Sequence, residues 1–274
     1  MLEALLLLPL PLVALLMLLS LPFQEVTHAR VVKLARRQSL PITVANGPIV
    51  IGYLATTRRW RGTGVLLTVV GGLLHSQLTH STSDGGGAAL FTGWFVGAVI
   101  AEWRVSVHTS GAGRRQASLV PRRLSDYLPG HARFSVLIAF ALLILVEFAG
   151  LLSDPGRAEL IGWLALTLVT AAVIMAVGHH ILSRPQPVAA SDVLAADEAI
   201  RSRSLHVLAG AALAITGYLG AAVLSLHIEN LDPLTPWSGV VATLLPLLGL
   251  VLACATSRPP ARLARSESRE LLGQ

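Results

Sequence analysis

Runs of apolar residues, separated by short polar gaps, follow one another along the whole chain. An apolar run of about 18 residues or more is long enough to cross the hydrocarbon core of a bilayer as an α-helix. Seven segments meet or nearly meet this length: residues 5–23, 64–78, 87–103, 135–152, 160–181, 205–226 and 239–256. The pattern predicts an all-α fold, a polytopic integral membrane bundle of about seven transmembrane helices.

The composition agrees with this prediction. Hydrophobic residues make up 53% of the chain and charged residues only 13%, whereas soluble domains average about 25% charged residues. We therefore expect residues 1–256 to form a single membrane domain, followed by a basic and disordered tail over residues 257–274. The one cysteine, Cys254, excludes an intramolecular disulfide.

The basic residues predict an orientation. If each of the seven segments crosses the membrane, the gaps between them lie alternately on its two sides. Of the 21 lysines and arginines, all except Arg157 then lie on one side, in the gaps or in the tail. Because short cytoplasmic loops are enriched in Lys and Arg, we expect the N-terminus outside and the C-terminus in the cytoplasm. No Lys or Arg precedes the first run, which is therefore expected to stay as a span rather than leave as a signal peptide. A large excess of arginine over lysine is typical of GC-rich bacterial genomes and favours a bacterial cytoplasmic (plasma) membrane.

Two of the predicted inner gaps contain the pattern of a short helix. In ANGPIVIGYLATTRRW, Asn46 is placed to cap a helix with Pro48 in its first turn. In SDVLAADEAIRSRS, Ser191 or Asp192 is placed to do the same, with acids early and arginines late as the helix dipole favours. The inner surface is thus predicted to be short helices and basic loops, with no catalytic domain.

Glu147 is the one acid well inside a predicted span, about 7.5 Å below its outer end at 1.5 Å per residue. One interpretation is a proton or cation site for transport, with His75 as a further candidate residue of that site. The other is a structural acid, protonated or paired with Arg157 or with His75 near the same face of the membrane. His75 and His80 point about 140° apart on a helix and do not form a metal site. No metal, cofactor or catalytic residue is predicted.

Small residues recur at helical spacing in two spans. Gly93 and Gly97 lie one turn apart in the third span, and the sixth span carries a stripe of four residues: Gly210, Ala214, Gly217 and Ala221. Such stripes let helix backbones approach closely in lipid, either within one chain or between chains. Beside the first stripe, Glu102 and Arg104 flank Trp103; we expect them to set the depth of the span, with a gating ion pair as the alternative.

The longest predicted inner connection is unusually basic. The stretch GAGRRQASLVPRRLSDYLPG holds four arginines within ten positions: Arg114, Arg115, Arg122 and Arg123. They act as topological charges and attract anionic lipid headgroups at about 1 kcal/mol per residue. Because this connection is longer than its task requires, it is the main candidate for a contact with lipid or a partner. Nucleic acid is not an expected partner, since the basic residues fall between spans.

Three kinds of function fit the sequence. The first is a membrane-embedded subunit or scaffold that acts through helix packing and basic cytoplasmic loops, with lipid and a membrane-protein partner or a second copy as contacts. The second is a small secondary transporter or channel built around Glu147. The third is a membrane enzyme, disfavoured because no acid, His or Cys cluster accompanies the spans.

Overall fold

Six α-helices account for most of the chain that the computed structural model describes, which is Ser20 and residues 25–79, 86–108, 115–116, 122–153, 158–187 and 190–228. They are α1 (His28–Arg37), α2 (Gly47–Thr79), α3 (Gly86–His108), α4 (Gly130–Ser153), α5 (Ala158–Ser183) and α6 (Ser191–Ile228). A 3₁₀ turn, Leu124–Asp126, precedes α4, and β1 (Arg115–Gln116) pairs antiparallel with β2 (Gln186–Pro187), two residues each. The prediction of an all-α fold is confirmed for these residues.

Three of the described helices are long and apolar enough to cross a membrane: α4, α5 and the part of α6 that ends at Leu224. They support the prediction of a membrane-embedded protein. The second and third predicted spans lie within α2 and α3. The first span (5–23), the seventh (239–256), the tail (257–274) and Cys254 lie outside the described residues. The count of seven and the orientation stay predictions.

The two segments predicted to form separate short helices belong instead to long continuous helices. The helix that begins at Gly47 continues without a break into the second predicted span, and the helix that begins at Ser191 continues into the sixth. At 1.5 Å per residue, the 33 residues of α2 extend about 50 Å and the 38 residues of α6 about 57 Å. Both exceed a hydrocarbon core of about 30 Å. Because no proline interrupts either helix after its first turn, the hydrogen-bond ladder simply continues.

Asn46 holds the turn before α2 and does not cap a helix N–H with its side chain. Its Oδ1 accepts a hydrogen bond from the backbone N–H of Thr43 at 2.8 Å, and its Nδ2 donates to the carbonyl of Pro41 at 2.8 Å. The hydroxyl of Thr43 in turn donates to the carboxylate of Asp192 in the first turn of α6. The start of α2 is thereby tied to the start of α6.

α6 lies at the centre of the bundle, where it packs against α2, α3, α4 and α5. In its most apolar stretch 67% of the residues are buried, against 22% for α4 and 28% for α5. The outward faces of α4 and α5 instead expose large apolar side chains, among them Leu137, Leu145, Phe148, Val169 and Met175. An exposed apolar surface of this extent is typical of a face that contacts membrane or a partner helix.

α1 is an amphipathic helix on the inner end of the bundle, the end where α2, α4 and α6 begin. Val31 and Leu34 on one side are buried in a small apolar core together with Leu40, Val50, Tyr53, Val105, Ala196, Ala199 and Ile200. Arg30, Lys33 and Arg37 occupy another face, since their spacing of three and four residues places them in one row.

Candidate functional site

Glu147 lies between α4 and α5 and is fully buried, with 0% of its surface exposed. The hydroxyl of Thr167 on α5, equally buried, donates a hydrogen bond to its Oε1 at 2.7 Å. Its Oε2 has no hydrogen-bond partner within the part of the chain that the structure describes. Since a charged carboxylate in hydrocarbon costs a few kcal/mol, this oxygen suits a proton or a bound cation.

The two residues predicted from the sequence to pair with Glu147 have side chains that lie outside the described residues. His75 belongs to α2, but its side chain falls outside the described residues, as does the whole of Arg157. Thr167, the neighbour that the structure places beside Glu147, was not predicted from the sequence. Its signal was the presence of a polar residue in an otherwise apolar span, since hydroxyl groups in membrane helices commonly bond across to a neighbouring helix.

Gly93 and Gly97 of α3 lie directly against the backbone of α2. A Cβ added at Gly97 would lie against the carbonyl oxygen of Trp60 and only 2.9 Å from the Cα of Arg61. A Cβ at Gly64 of α2 would reach within 3.0 Å of the Cα of Gly97. Real Cβ atoms do not approach backbone so closely, so these glycines permit the contact of α2 with α3 within one chain.

The second small-residue stripe runs along the central helix α6. Gly210 is buried, Ala214 is fully buried and Ala221 is 5% exposed, while Gly217 is partly buried. Because α6 packs against four other helices, small side chains on it let their backbones approach closely.

The charged beginning of α6 is buried and paired. Asp197 receives hydrogen bonds from two arginines: from Arg184, just after α5, and from the Nε of Arg201 at 3.0 Å. Arg201 is 0% exposed and also donates to the carbonyls of Ile181 at 2.8 Å and Pro185 at 3.3 Å. Burial lowers the pKa of Arg184, and the charge of Asp197 opposes that shift. The hydrogen bonds among Arg184, Asp197 and Arg201 therefore hold the C-terminal end of α5 against α6.

Glu198, the next residue on α6, holds the basic connection before α4. Its Oε1 pairs with Arg122 at 3.2 Å, and its Oε2 accepts a hydrogen bond from the hydroxyl of Tyr127 at 2.6 Å. Arg122 also donates to the carbonyl of Arg184 at 3.2 Å. Burial, followed by the hydrogen bond to Glu198 and its charge, raises the pKa of Tyr127 well above its ordinary value. Tyr127 is therefore a neutral donor at any ordinary pH.

A further buried acid, Glu102, joins α3 to α2. Glu102 is 1% exposed, and its Oε1 pairs with Arg61 at 3.1 Å and accepts a longer hydrogen bond from Tyr53 at 3.4 Å. Arg104, which the sequence offered as a gating partner, stacks its guanidinium over the ring of Trp60 at 5.0 Å. Residues two apart on a helix do not face each other, so Glu102 pairs with the neighbouring helix instead. We call these three groups the inner polar cluster: Tyr53, Arg61, Glu102, Arg122, Tyr127, Arg184, Asp197, Glu198 and Arg201.

Of the four arginines of the long basic connection, the structure describes the side chains of Arg122 and Arg123. The side chain of Arg122 is 8% exposed and takes part in the inner polar cluster. The side chain of Arg123 is exposed, and its backbone N–H donates a hydrogen bond to the carboxylate of Asp126 at 3.0 Å. Arg115 is placed by its backbone in β1, and Arg114 lies outside the described residues.

A cavity of about 550 Å³ opens beside α1 at the inner end of the bundle. Among the residues that the structure describes, six cationic side chains line it: Arg30, Lys33, Arg37, Arg58, Arg61 and Arg203. The rest of this described lining includes Gln38, Trp94 and apolar residues such as Leu34 and Leu54, and no acidic residue. We call it the basic cavity. Among the residues that the structure describes, no group of three His, Cys, Asp or Glu is arranged to hold a metal ion.

The buried acids of α6 and the basic cavity were not predicted from the sequence. The spacing of Asp197 and Arg201, four residues apart, was a detectable signal of a helical ion pair. The alanines that surround Asp197 and Glu198 were a second signal, because small neighbours allow close packing of other helices. The cavity had no such signal, since its lining comes from four separate helices.

Comparison with known proteins adds no relative from which a role could be transferred. The chain matches no protein-family model, no curated protein and no solved structure.

Proposed function

We propose that the protein is a membrane-embedded subunit or scaffold, working through helix packing and its basic inner segments. The observation that carries the proposal is the inner polar cluster. Its acids on α6 and α3 pair with arginines of other segments: Glu102 with Arg61 and Glu198 with Arg122, each at about 3 Å, and Asp197 with Arg184. Charges engaged in this way hold helices at a fixed position, because breaking a buried pair leaves an uncompensated charge.

The exposed surfaces of the protein are suited to contacts with lipid or with another protein. The outward faces of α4 and α5 carry exposed apolar side chains such as Leu145 and Val169, which suit lipid, a partner helix or a second copy of the chain. At the inner end, exposed arginines such as Arg123 suit anionic headgroups or an acidic partner surface. A bacterial cytoplasmic membrane, with the inner end in the cytoplasm, belongs to the same proposal.

Purification of the full chain from its native membrane in a mild detergent tests this function. A membrane protein recovered in fixed stoichiometry, or a defined oligomer of the chain, is the expected result. A cysteine placed at Leu145 in a Cys254→Ser background should then crosslink to that partner, whereas one at the buried Ile215 should not. Recovery of a monomer without partner or crosslink contradicts the proposal.

Glu147 favours a second function, a small proton-coupled transporter or channel. The supporting observation is its buried carboxyl group with one oxygen bonded to Thr167 and the other unengaged in the described region. In this function the carboxyl group exchanges a proton or cation while the adjacent hydroxyl orients it.

Reconstitution into liposomes that enclose a pH-sensitive dye tests the second function. A panel of solutes is added, and one of them is expected to drive proton movement that Glu147→Gln abolishes and that the exposed Glu159→Gln leaves unchanged. If proton movement persists in Glu147→Gln, or if none of the solutes drives proton movement, this role for Glu147 is excluded.

A further inference from the structure

We propose that the basic cavity binds a phosphate group, carried by the headgroup of an anionic phospholipid or by free phosphate. The inference rests on the convergence of six cations from three helices on one space. Arg30, Lys33 and Arg37 come from α1, Arg58 and Arg61 from α2, and Arg203 from α6.

Within the described residues, the lining of the cavity supplies six cations and no carboxylate. Arg61 pairs with Glu102, which lies outside the lining, and Arg58 donates a hydrogen bond to the backbone carbonyl of Glu25 at 3.1 Å. Burial lowers the pKa of Arg58, and the positive charge of the nearby Arg30 lowers it further. Like charges held close together repel each other, and an anion bound between them would relieve that repulsion.

Gln38 supplies an independent observation. It lines the cavity, it is 0% exposed, and neither its Oε1 nor its Nε2 has a hydrogen-bond partner within the described part of the chain. The Nη1 of Arg203 is likewise buried and unengaged there. Buried polar groups are nearly always hydrogen-bonded, and leaving one unpaired destabilises the protein. A ligand with several oxygen atoms engages both groups.

Phosphate is the anion that fits this set of donors. Arginine presents a planar fork that binds two phosphate oxygens at once, and lysine adds a point charge. The Gln38 carbonyl can accept a hydrogen bond from a hydroxyl group on or beside the phosphate. The cavity is also larger than a phosphate, and its apolar side, with Leu34, Leu54 and Trp94, suits the less polar portion of an organic phosphate such as the glycerol of a phospholipid.

Matched pairs of variants separate this site from a diffuse positive surface. Lys33 and Arg58 line the cavity, whereas Arg36 and Arg59 lie on the same two helices and do not. Lys33→Gln/Arg58→Gln and Arg36→Gln/Arg59→Gln remove the same charge from the same region. Gln38→Leu removes the amide without changing the charge. All variants are first compared with the wild type by size-exclusion chromatography and circular dichroism.

The full chain is placed in nanodiscs of phosphatidylcholine, and thermal unfolding is followed while one component is varied. One arm replaces part of the lipid by phosphatidylglycerol, and the other adds inorganic phosphate at constant ionic strength. Stabilisation by phosphatidylglycerol alone identifies a headgroup site, and stabilisation by inorganic phosphate identifies a site for free phosphate. Both outcomes support the proposal.

At about 1 kcal/mol for each charge, Lys33→Gln/Arg58→Gln should weaken the apparent affinity about 30-fold. Arg36→Gln/Arg59→Gln should change it by less than about threefold, since neither residue reaches the cavity. Gln38→Leu should weaken it about tenfold through the lost hydrogen bonds. Equal losses in the two double variants, full affinity in Gln38→Leu, or no stabilisation by either component overturns the proposal.

Discussion

Arg201 donates from its Nε to the carboxylate of Asp197 at 3.0 Å, one turn earlier on α6, and neither side chain is more than 8% exposed. The same carboxylate also receives Arg184 from the end of α5. One acid thus balances two buried arginines at the junction of two long apolar helices. The stability of this end of the protein depends on that acid.

Asp197→Asn should lower the unfolding free energy by about 3–5 kcal/mol, because it leaves Arg184 and Arg201 without a counter-charge in a buried position. The measurement is thermal unfolding of the purified full chain in detergent. Glu159→Gln, at an exposed acid in the first turn of α5, should lower it by no more than about 1 kcal/mol. Similar losses in both variants would show that Asp197 does not hold the junction.

Arg122 and Arg123 are adjacent and carry the same charge, but they should respond differently to substitution. Arg122→Gln removes the partner of Glu198 and should lower the unfolding free energy by about 3 kcal/mol. Arg123→Gln changes an exposed side chain and should alter it by less than about 0.5 kcal/mol. Chemical unfolding in mixed micelles compares the two. If Arg123→Gln is as harmful as Arg122→Gln, the pairing with Glu198 is not the cause.

Gly97→Ala should separate α2 from α3, because the new Cβ would press on the backbone of Trp60 and Arg61, which cannot move aside like a side chain. Overpacking of this kind costs about 1–3 kcal/mol. Gly162→Ala in α5 is the control, since its Cβ would meet nothing within 4 Å. It should be neutral or stabilising by up to about 1 kcal/mol, as alanine favours a helix. Thermal unfolding decides, and a loss at Gly162 equal to that at Gly97 would refute the close approach.

Alkaline pH should destabilise the protein through Tyr53 and Tyr127. Burial, reinforced by Glu102 and Glu198 respectively, raises the pKa of both phenols above the ordinary value of about 10. Above that pH the unfolded chain has released protons that the folded protein still binds, so the unfolding free energy falls as the pH rises.

The measurement is denaturant unfolding at several pH values between about 8 and 11, a range that spans the ordinary tyrosine pKa. Tyr53→Phe/Tyr127→Phe should be less stable at pH 8 because Glu198 loses a hydrogen bond, but its stability should fall less steeply above pH 10. An unchanged slope would mean that these phenols ionise normally in the folded state.

The orientation is testable with single cysteines in a Cys254→Ser background. Ser125 precedes α4 and Ser153 ends it, and both are exposed. If the inner end lies in the cytoplasm, a membrane-impermeant thiol reagent should label Ser153→Cys in right-side-out vesicles and Ser125→Cys in inside-out vesicles. The reverse pattern would invert the predicted topology.

Much of the helical content was predictable because hydropathy and helix formation are local properties. The fourth, fifth and sixth predicted spans lie entirely within α4, α5 and α6, respectively. The prediction of separate short inner helices was wrong, because a pattern of caps at Asn46 and Ser191 does not reveal whether a helix ends before the next span. Only the continuing backbone hydrogen bonds settle that.

The partners of the charged residues were not predictable in the same way. Glu102 had Arg104 close in sequence but pairs with Arg61, because the packing of α3 on α2 brings that side chain to it. Glu147 likewise meets Thr167 only because α4 packs on α5.

By itself the sequence determined that this is an apolar, helical chain with its basic residues concentrated between the spans, since these features depend on residues near one another. The tertiary structure decided which of those charges are buried pairs, as with Arg122, and which are exposed, as with Arg123. It also decided that cations from α1, α2 and α6 surround one cavity. The reason is physical: burial and Coulomb energy depend on distances between segments far apart in the chain, and those distances exist only after the helices have packed.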